Sequence, residues 1–205
     1  IIEYLQHQKE YKKLFRAAFH KKKNDLIDTF EVLNALAAYT RSLTTLNSRF
    51  DRYMQGDSTA HTVSELKGFN LFMGKAKCAT CHYLPVFNGM VPPKYGESDA
   101  EVIGVPASLS EPAIDPDPGW YKIIGVESYQ YAFKTPTVRN ASQTAPYMHN
   151  GVYSSLEEVM DFYNNGGGSG LGIKLENQTL PEDSLHLTKN EIEDVISFIG
   201  SLDSR

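Results

Sequence analysis

The strongest constraint in this sequence is the run Cys78-Ala79-Thr80-Cys81-His82, which contains both cysteines of the chain. The pattern Cys-x-x-Cys-His is typical of c-type haem attachment, because two thiols about one turn apart can add to the two vinyl groups of one porphyrin. The adjacent His82 then projects its imidazole to the iron as the proximal ligand. A disulfide, a redox pair or a zinc half-site would use the same cysteines. However, no second Cys-x-x-Cys or His pair completes a zinc site, and a redox pair usually sits on a βαβ background, which the sequence lacks.

Composition indicates a soluble globular protein with one large domain or two small ones. The chain has 205 residues, of which 41% are hydrophobic and 22% charged, with a net charge of −5. No basic stripe points to nucleic acid, and no apolar run approaches the roughly 20 residues that a membrane span needs. The chain opens with Ile1 and reads at once as the middle of a helix. We therefore expect a true N-terminus upstream, with a secretory leader and a periplasmic location, since haem c is attached on that side of the membrane.

The first part of the chain has the apolar period of helices. One helix is expected within residues 1–19, followed by a charged, solvated loop at Lys21-Lys22-Lys23-Asn24. Asp28 or Thr29 can cap a second helix that runs to about Leu46. A boundary is expected at residues 55–58. The side chains expected on the buried faces of these two helices are Tyr11, Leu14, Phe15, Ala18 and Phe19, then Phe30, Leu33, Leu36, Ala37, Tyr39 and Leu43.

The remainder predicts a mainly α, cytochrome c-like domain with long irregular haem-wrapping loops. A helix over Val63 to Met73 leads into the haem motif, and residues 83–132 hold seven of the ten prolines, with a short strand expected near Tyr121 to Val126. Ser154 or Ser155 can cap a helix that runs to about Tyr163. Thr188 and Glu191 form a capping box for the last helix.

A second axial ligand would decide what the iron does, because His/Met ligation favours electron transfer and an open site favours reaction with peroxide or oxygen. Met148, Met160 and Tyr163 lie downstream, where a haem-covering segment is expected, and the last two share a helix face. Met54 and Met90 are interpreted as packing residues. Four histidines are interpreted as surface residues, and His149 is set apart by its neighbours. These four are His7, His20, His61 and His186.

Several motifs resemble the bacterial dihaem cytochrome c peroxidase family, which includes MauG-like enzymes that oxidise a partner protein. The similarity covers nearly the whole chain, and the motifs keep the order of the family. They are Phe50-Asp51-Arg52-Tyr53, Gly68-Phe69-Asn70-Leu71-Phe72, Phe133-Lys134-Thr135-Pro136-Thr137-Val138-Arg139-Asn140, Thr144-Ala145-Pro146-Tyr147-Met148-His149-Asn150-Gly151 and Leu156-Glu157-Glu158-Val159-Met160-Asp161-Phe162-Tyr163-Asn164.

The resemblance implies two cytochrome c-like domains, each with one haem. In the family the N-terminal haem reacts with peroxide, and the C-terminal haem accepts electrons from a small donor such as a cytochrome or cupredoxin. Here residues 58–205 resemble the C-terminal domain, and residues 1–57 resemble the closing helices of the N-terminal one. The second haem and the catalytic residues are then expected upstream, so none is assigned in this chain. A homodimer is expected by analogy.

The resemblance also implies site residues. In the electron-transfer peroxidases a methionine ligand lies fourteen residues after the histidine that corresponds to His149; here that position is Tyr163, and MauG-like members use a tyrosine. Tyr163 is therefore the first choice, before Met160 and Met148. Carbonyl groups of Thr144 and Pro146 would bind an interdomain calcium ion. Arg139 and Lys134 would pair with haem propionates, or would hold the loop together by hydrogen bonds.

Three functions are consistent with these features. The first is the electron-accepting domain of a peroxidase that reduces hydrogen peroxide. The second is a MauG-like oxidase acting on a protein or small organic substrate, which Tyr163 favours because a phenolate stabilises ferric iron. The third is a mono-haem electron carrier, which the additional helices of residues 1–46 disfavour.

Overall fold

A computed structural model describes residues 1–43, 46–110 and 112–204 and confirms a mainly helical fold with little sheet. The chain divides into two compact units, Ile1–Thr44 and Thr45–Arg205. In chain order, the helices are α1 (Ile2–His7), α2 (Lys9–Phe19), α3 (Thr29–Ser42), α4 (Arg49–Met54), α5 (Val63–Met73), α6 (Tyr121–Ile124), α7 (Leu156–Asn164) and α8 (Lys189–Ser201). Strands β1 (Ala100–Glu101) and β2 (Phe133–Lys134) pair antiparallel.

The first unit differs from the sequence-based expectation in how it buries its apolar side chains. The expected first helix is divided at the extended residue Gln8, and only Phe15 of its predicted face is buried. The predicted face of α3 is exposed; Phe30, for example, is 72% exposed. Helical periodicity predicts an apolar stripe but does not reveal what covers it. Lys21 is also not simply solvated, because its ammonium group pairs with the Glu31 carboxylate.

The start of α3 is confirmed, whereas its end differs from the prediction. Asp28 accepts a hydrogen bond from the backbone of Glu31, whose side chain bonds back to Asp28. The described helix ends at Ser42, and the predicted extension toward Leu46 crosses Thr44 and Thr45, which lie outside the described residues. A new helix, α4, then begins under a Ser48 cap.

Helix α4 belongs to the second compact unit. The boundary between the units therefore precedes the predicted domain boundary after residue 57. The assignment of residues 1–57 to a preceding domain stays a prediction.

The core of the second unit is formed around the crossing of α5 and α8. Rings of Phe50, Phe72, Phe87 and Phe198 cluster with centroid separations of 5.3–5.8 Å. Most of these pairs are edge-on, the arrangement that the ring quadrupole favours. Gly68 lets the helices approach, since a Cβ there would lie 1.9 Å from the Asp194 carbonyl oxygen. This packing places the end of α5, and thus the Cys78–His82 segment, against the core.

Helix starts in the second unit follow local sequence signals. Capping boxes begin α5 at Thr62, α7 at Ser155 and α8 at Thr188. The predicted bounds of α5 are confirmed, and those of α7 agree to within one residue at the C-terminal end. Each cap pairs two backbone N–H groups that the helix would otherwise leave unpaired.

The prediction of a strand near Tyr121 to Val126 is wrong, because residues Tyr121–Ile124 form the short helix α6. Gly125 ends it in the left-handed conformation, with φ +66. The β-branched residues favour a strand, but a glycine that closes the turn overrides this local preference.

Two further side chains depart from their predicted environments. Met54, expected to pack, is 62% exposed, and His61, expected at the surface, is only 9% exposed. The His61 ring stacks on Tyr53 at 4.9 Å and lies 5.7 Å from Phe50. Neither ring nitrogen has a hydrogen-bond partner among the described residues. Burial lowers the pKa of His61, and the nearby Glu65 partly opposes this shift.

Replacing His61 with leucine is expected to raise the free energy of unfolding by about 1 kcal/mol, because the variant no longer desolvates two unpaired ring nitrogens. Denaturant unfolding of the protein at neutral pH measures this effect. His7→Leu at an exposed helical position is the matched control and should leave stability unchanged within about 0.5 kcal/mol. A less stable His61→Leu variant would contradict the prediction.

None of the helices in the described ranges combines the length and the apolar character that crossing a membrane requires.

Candidate functional site

The Cys78–His82 segment forms one tight turn directly after α5. Lys77 adopts a left-handed conformation, and Cys78–Thr80 form a 3₁₀ turn. The His82 amide donates to the Cys78 carbonyl oxygen at 2.9 Å. Both cysteines are free thiols. The turn therefore presents two sulfur atoms and one imidazole from five consecutive residues.

The orientation of His82 is fixed by two backbone carbonyls. Its Nδ1 lies 3.0 Å from the Pro136 oxygen and 3.3 Å from the Phe87 oxygen. Because carbonyl oxygens only accept, Nδ1 carries the proton and Nε2 carries the lone pair. Burial lowers the pKa of His82 and so favours the neutral ring. A neutral imidazole oriented through its second nitrogen is the form that binds a metal ion.

The surroundings of the two thiols favour uncharged sulfur. Burial raises the pKa of Cys78 to about 12 and that of Cys81 to about 11, and Glu101 adds to the second shift. Thiol exchange and zinc binding both use thiolates, which such surroundings disfavour. Neutral thioether bonds to a porphyrin suit these surroundings, because the sulfur atoms then carry no charge. Cys78, Cys81 and His82 are each partly buried as whole residues.

Among the three predicted second ligands, Tyr163 is the one with a titratable side chain, and it is partly buried. Burial is the largest cause that raises the pKa of Tyr163, and negative charge on the two cysteines would raise it further. Met160 lies one turn earlier on α7 and is 4% exposed within the hydrophobic core. Met148 lies in a turn before His149, with φ +68. A nearby cation would reverse the pKa shift of Tyr163 by stabilising its phenolate.

Arg139 makes hydrogen bonds that hold loops together, which is the second of the two roles that the sequence left open for it. Its guanidinium makes a two-pronged contact with Asp51, at 2.9 Å and 2.8 Å, and donates to the Pro85 carbonyl oxygen at 2.8 Å and 3.1 Å. The side chain is 2% exposed. Asp51 was not singled out by the sequence as its partner, since 88 positions separate the two residues. Lys134 on β2 is exposed.

The segment proposed for calcium is a solvent-exposed turn. Thr144 and Pro146 are both exposed, and within the described part of the chain neither of their carbonyl oxygens accepts a hydrogen bond. The Tyr147 amide then pairs with the Tyr153 carbonyl oxygen at 2.7 Å. These observations leave both carbonyls available to a cation.

His149, set apart in the sequence, anchors two loops. Its ring stacks on Phe133 with centroids 3.6 Å apart, and its Nε2 lies 3.2 Å from the Asp115 carboxylate. Asn150 also donates to Asp115, at 2.9 Å. Burial would raise the pKa of Asp115, but hydrogen bonds from Asp117, Asn150 and His149 more than offset it and lower the pKa.

The helical fold, the two-thiol turn and the oriented histidine together define a c-type cytochrome domain. Pro136 and Phe87, which orient the histidine, were not identified from the sequence because they act through backbone carbonyls.

Comparison with known proteins agrees with this class. A family model described as di-haem cytochrome c peroxidase matches residues 1–59. The chain is 35% identical to cytochrome-c peroxidase IdrP1 of Pseudomonas sp. (strain SCT), over 94% of this chain and 54% of the relative. It is 32% identical to the methylamine utilization protein MauG of Methylorubrum extorquens, over 98% of this chain and 52% of the relative. The chain thus belongs to the dihaem cytochrome c peroxidase and MauG-like family.

Solved structures show the same fold. A MauG-like protein associated with microbial copper homeostasis matches with a TM-score of 0.75 and 26% identity, over 100% of this chain and 61% of the other. The diheme peroxidase BthA from Burkholderia thailandensis matches with a TM-score of 0.59 and 21% identity, over 80% of this chain and 48% of the other. The chain spans about half the length of the curated relatives it matches.

Proposed function

We propose that residues 58–205 form the electron-accepting haem c domain of a dihaem peroxidase that reduces hydrogen peroxide, and that residues 1–57 belong to the preceding domain. The electron donor would be a small cytochrome or cupredoxin, and the protein would work in the periplasm. The single observation that carries this proposal is the Cys78–His82 turn with His82 oriented by Pro136 and Phe87. Similarity to proteins described as cytochrome c peroxidases supports the reaction class.

Each residue of the site has a distinct task in this proposal. Cys78 and Cys81 would hold the porphyrin covalently, and His82 would offer Nε2 to the iron while its Nδ1–H stays bonded to the two carbonyls. Tyr163, on α7, would be the second ligand. When bound, the haem supplies an iron that exchanges one electron.

A MauG-like oxidase is the second candidate, and Tyr163 is the specific reason. An anionic phenolate stabilises ferric iron, whereas a neutral thioether raises the potential and favours a simple relay. The position of Tyr163, fourteen residues after His149, supports this candidate. The substrate would then be a protein or a small organic molecule.

Calcium binding and the propionate contacts are the weaker parts of the proposal. Thr144 and Pro146 would each offer a carbonyl oxygen, the hard ligand that calcium prefers. Lys134 is exposed and can reach a carboxylate, whereas Arg139 is already paired with Asp51. A second haem and a homodimer would belong to the longer protein.

Replacing Tyr163 with phenylalanine is expected to change the ferric spectrum of the haem-loaded protein from low-spin, six-coordinate to five-coordinate, because the variant loses the phenol oxygen. Absorption spectra of the oxidised and reduced proteins measure this change. Tyr153→Phe is the matched control, since it makes the same chemical change in a neighbouring buried tyrosine.

An unchanged spectrum with the near-infrared band of a methionine–iron bond would contradict the role of Tyr163. In that case Met160 or Met148 is the ligand, and the electron-relay peroxidase stands without the oxidase alternative. A spectrum without bound haem after full maturation would overturn both candidates.

A further inference from the structure

A groove of about 240 Å³ lies along α7, apart from the Cys78–His82 turn. One wall is formed by the loop that includes Pro106 and Leu109, and another by the side of α7. Leu171, in the turn after the glycines that follow α7, contributes a third side. The volume is below the roughly 300–1,000 Å³ of sites for drug-sized molecules, so the groove suits a small occupant.

Helix α7 uses different side chains for the core and for the groove. Leu156, Met160 and Tyr163 recur at helical spacing; the first two are core residues, and the third is partly buried. Glu158, Asp161 and Asn165 recur at the same spacing and line the groove. The groove is therefore built on a capped helix that the core already holds in place.

The groove combines an apolar surface with negative charge. Leu109 and Leu171 are 65% and 38% exposed and form most of its apolar surface, whereas Tyr153 and Phe162, with ring centroids 5.4 Å apart, lie beneath them and are only 5% and 4% exposed. The carboxylates of Glu158 and Asp161 stand on the same surface. None of the described lining residues carries a positive charge.

The two carboxylates differ in how they are bonded. Glu158 accepts from the Ser154 amide at 2.6 Å and from the Ser155 amide at 3.2 Å. Those bonds lower its pKa, so Glu158 stays ionised well into the acidic range. The Asp161 carboxylate is exposed and has no hydrogen-bond or ion-pair partner among the described residues. Asp161 is thus the group that is available to a ligand.

We propose that this groove binds a small organic cation with an apolar body, such as an aralkylammonium ion. Asp161 would contact the ammonium group while Glu158 adds a fixed negative charge. Leu109 and Leu171 would take the apolar body above the buried rings of Tyr153 and Phe162, since ligand sites combine an apolar lining with a few placed polar or charged groups. This inference does not depend on which residue is the second iron ligand.

Three probes of matched size test the proposal on the haem-loaded protein: benzylamine, benzyl alcohol and benzoate. Isothermal titration calorimetry is expected to show the tightest binding for benzylamine, weaker binding for the alcohol and the weakest for benzoate. Asp161→Asn should raise the dissociation constant of benzylamine by about three- to fivefold, the range expected for one partly exposed charge. The dissociation constant of benzyl alcohol should change by less than about twofold. Leu171→Ala should weaken the binding of every probe that binds to the native protein.

Glu176→Gln is the matched control, because Glu176 is an exposed carboxylate that does not line the groove. The proposal is overturned if benzoate binds as tightly as benzylamine, if Asp161→Asn has no more effect than the control, or if none of the probes binds. Because the variants lie on the surface and the readout is binding, the result stands whatever the spectrum of Tyr163→Phe shows.

Discussion

Replacing Gly68 with alanine is expected to lower the free energy of unfolding by about 3 kcal/mol or more, which would be among the largest single-residue effects in the chain. A Cβ at this position would lie 1.9 Å from the Asp194 carbonyl oxygen and 2.8 Å from the Phe198 Cβ. The first of these atoms belongs to the backbone of α8, so no rotamer change relieves the clash. The two helices must move apart, which opens the phenylalanine core.

Gly200 provides the control within the same pair of helices. It lies inside α8, and a Cβ there would meet nothing within 4 Å. Gly200→Ala is expected to be neutral or to stabilise by up to about 1 kcal/mol, since alanine favours a helix over glycine. Denaturant midpoints of the haem-loaded variants give both values. Equal stability of the two variants would show that α5 and α8 do not pack at Gly68.

Replacing Arg139 with methionine is expected to destabilise the protein by about 3–5 kcal/mol, because it leaves the Asp51 carboxylate without its partner in a mostly buried site. The side chains of Arg139 and Asp51 are 2% and 13% exposed. The same change removes the donors to the Pro85 carbonyl oxygen. Chemical denaturation at neutral pH measures the loss.

The effect of Arg139→Met should depend on pH with a defined sign. Burial would raise the pKa of Asp51, but hydrogen bonds from Arg139 and Ser48 more than offset it, so that the pKa lies below its ordinary value of 3.8. A lowered carboxyl pKa stabilises the folded state above the unfolded pKa, and this contribution is lost as the pH falls through the folded one. The difference between the variant and the native protein should therefore narrow below about pH 4.

The double variant Arg139→Met/Asp51→Asn separates the charge from the packing. It should recover part of the loss, since removing both charges leaves no unpaired ion. If Arg139→Met alone costs less than about 1 kcal/mol, the ion pair contributes no more than a surface pair does.

Features that depend on a few neighbouring residues could be predicted from the sequence. The capping box at Thr188, a helix cap at Asp28 and the bounds of α5 are confirmed because their signals lie within four positions. The Cys78–His82 turn is confirmed as a single turn for the same reason. Tyr163 was chosen from the family resemblance, and its role as the second ligand stays a prediction.

Features that depend on distant residues could not be predicted. The partner of Arg139 is 88 positions away, and the Pro136 carbonyl that orients His82 is 54 positions away. The burial of His61 comes from rings on α4 that the sequence does not place beside it. The apolar side chains of α3 were predicted to be buried but are exposed, because periodicity indicates an apolar face whether or not anything covers it.

The capping boxes have a consequence for the order of events during maturation. Five of the described helices begin at a box whose partners lie three residues apart, so these start points are specified without any long-range contact. Denatured chains retain fluctuating local structure of this kind. The nascent polypeptide can therefore mark where α5 and α7 begin while Cys78, Cys81 and Tyr163 are still apart. In the proposed haem-loaded protein, ligation would then close the loop between two segments whose starting points are already set.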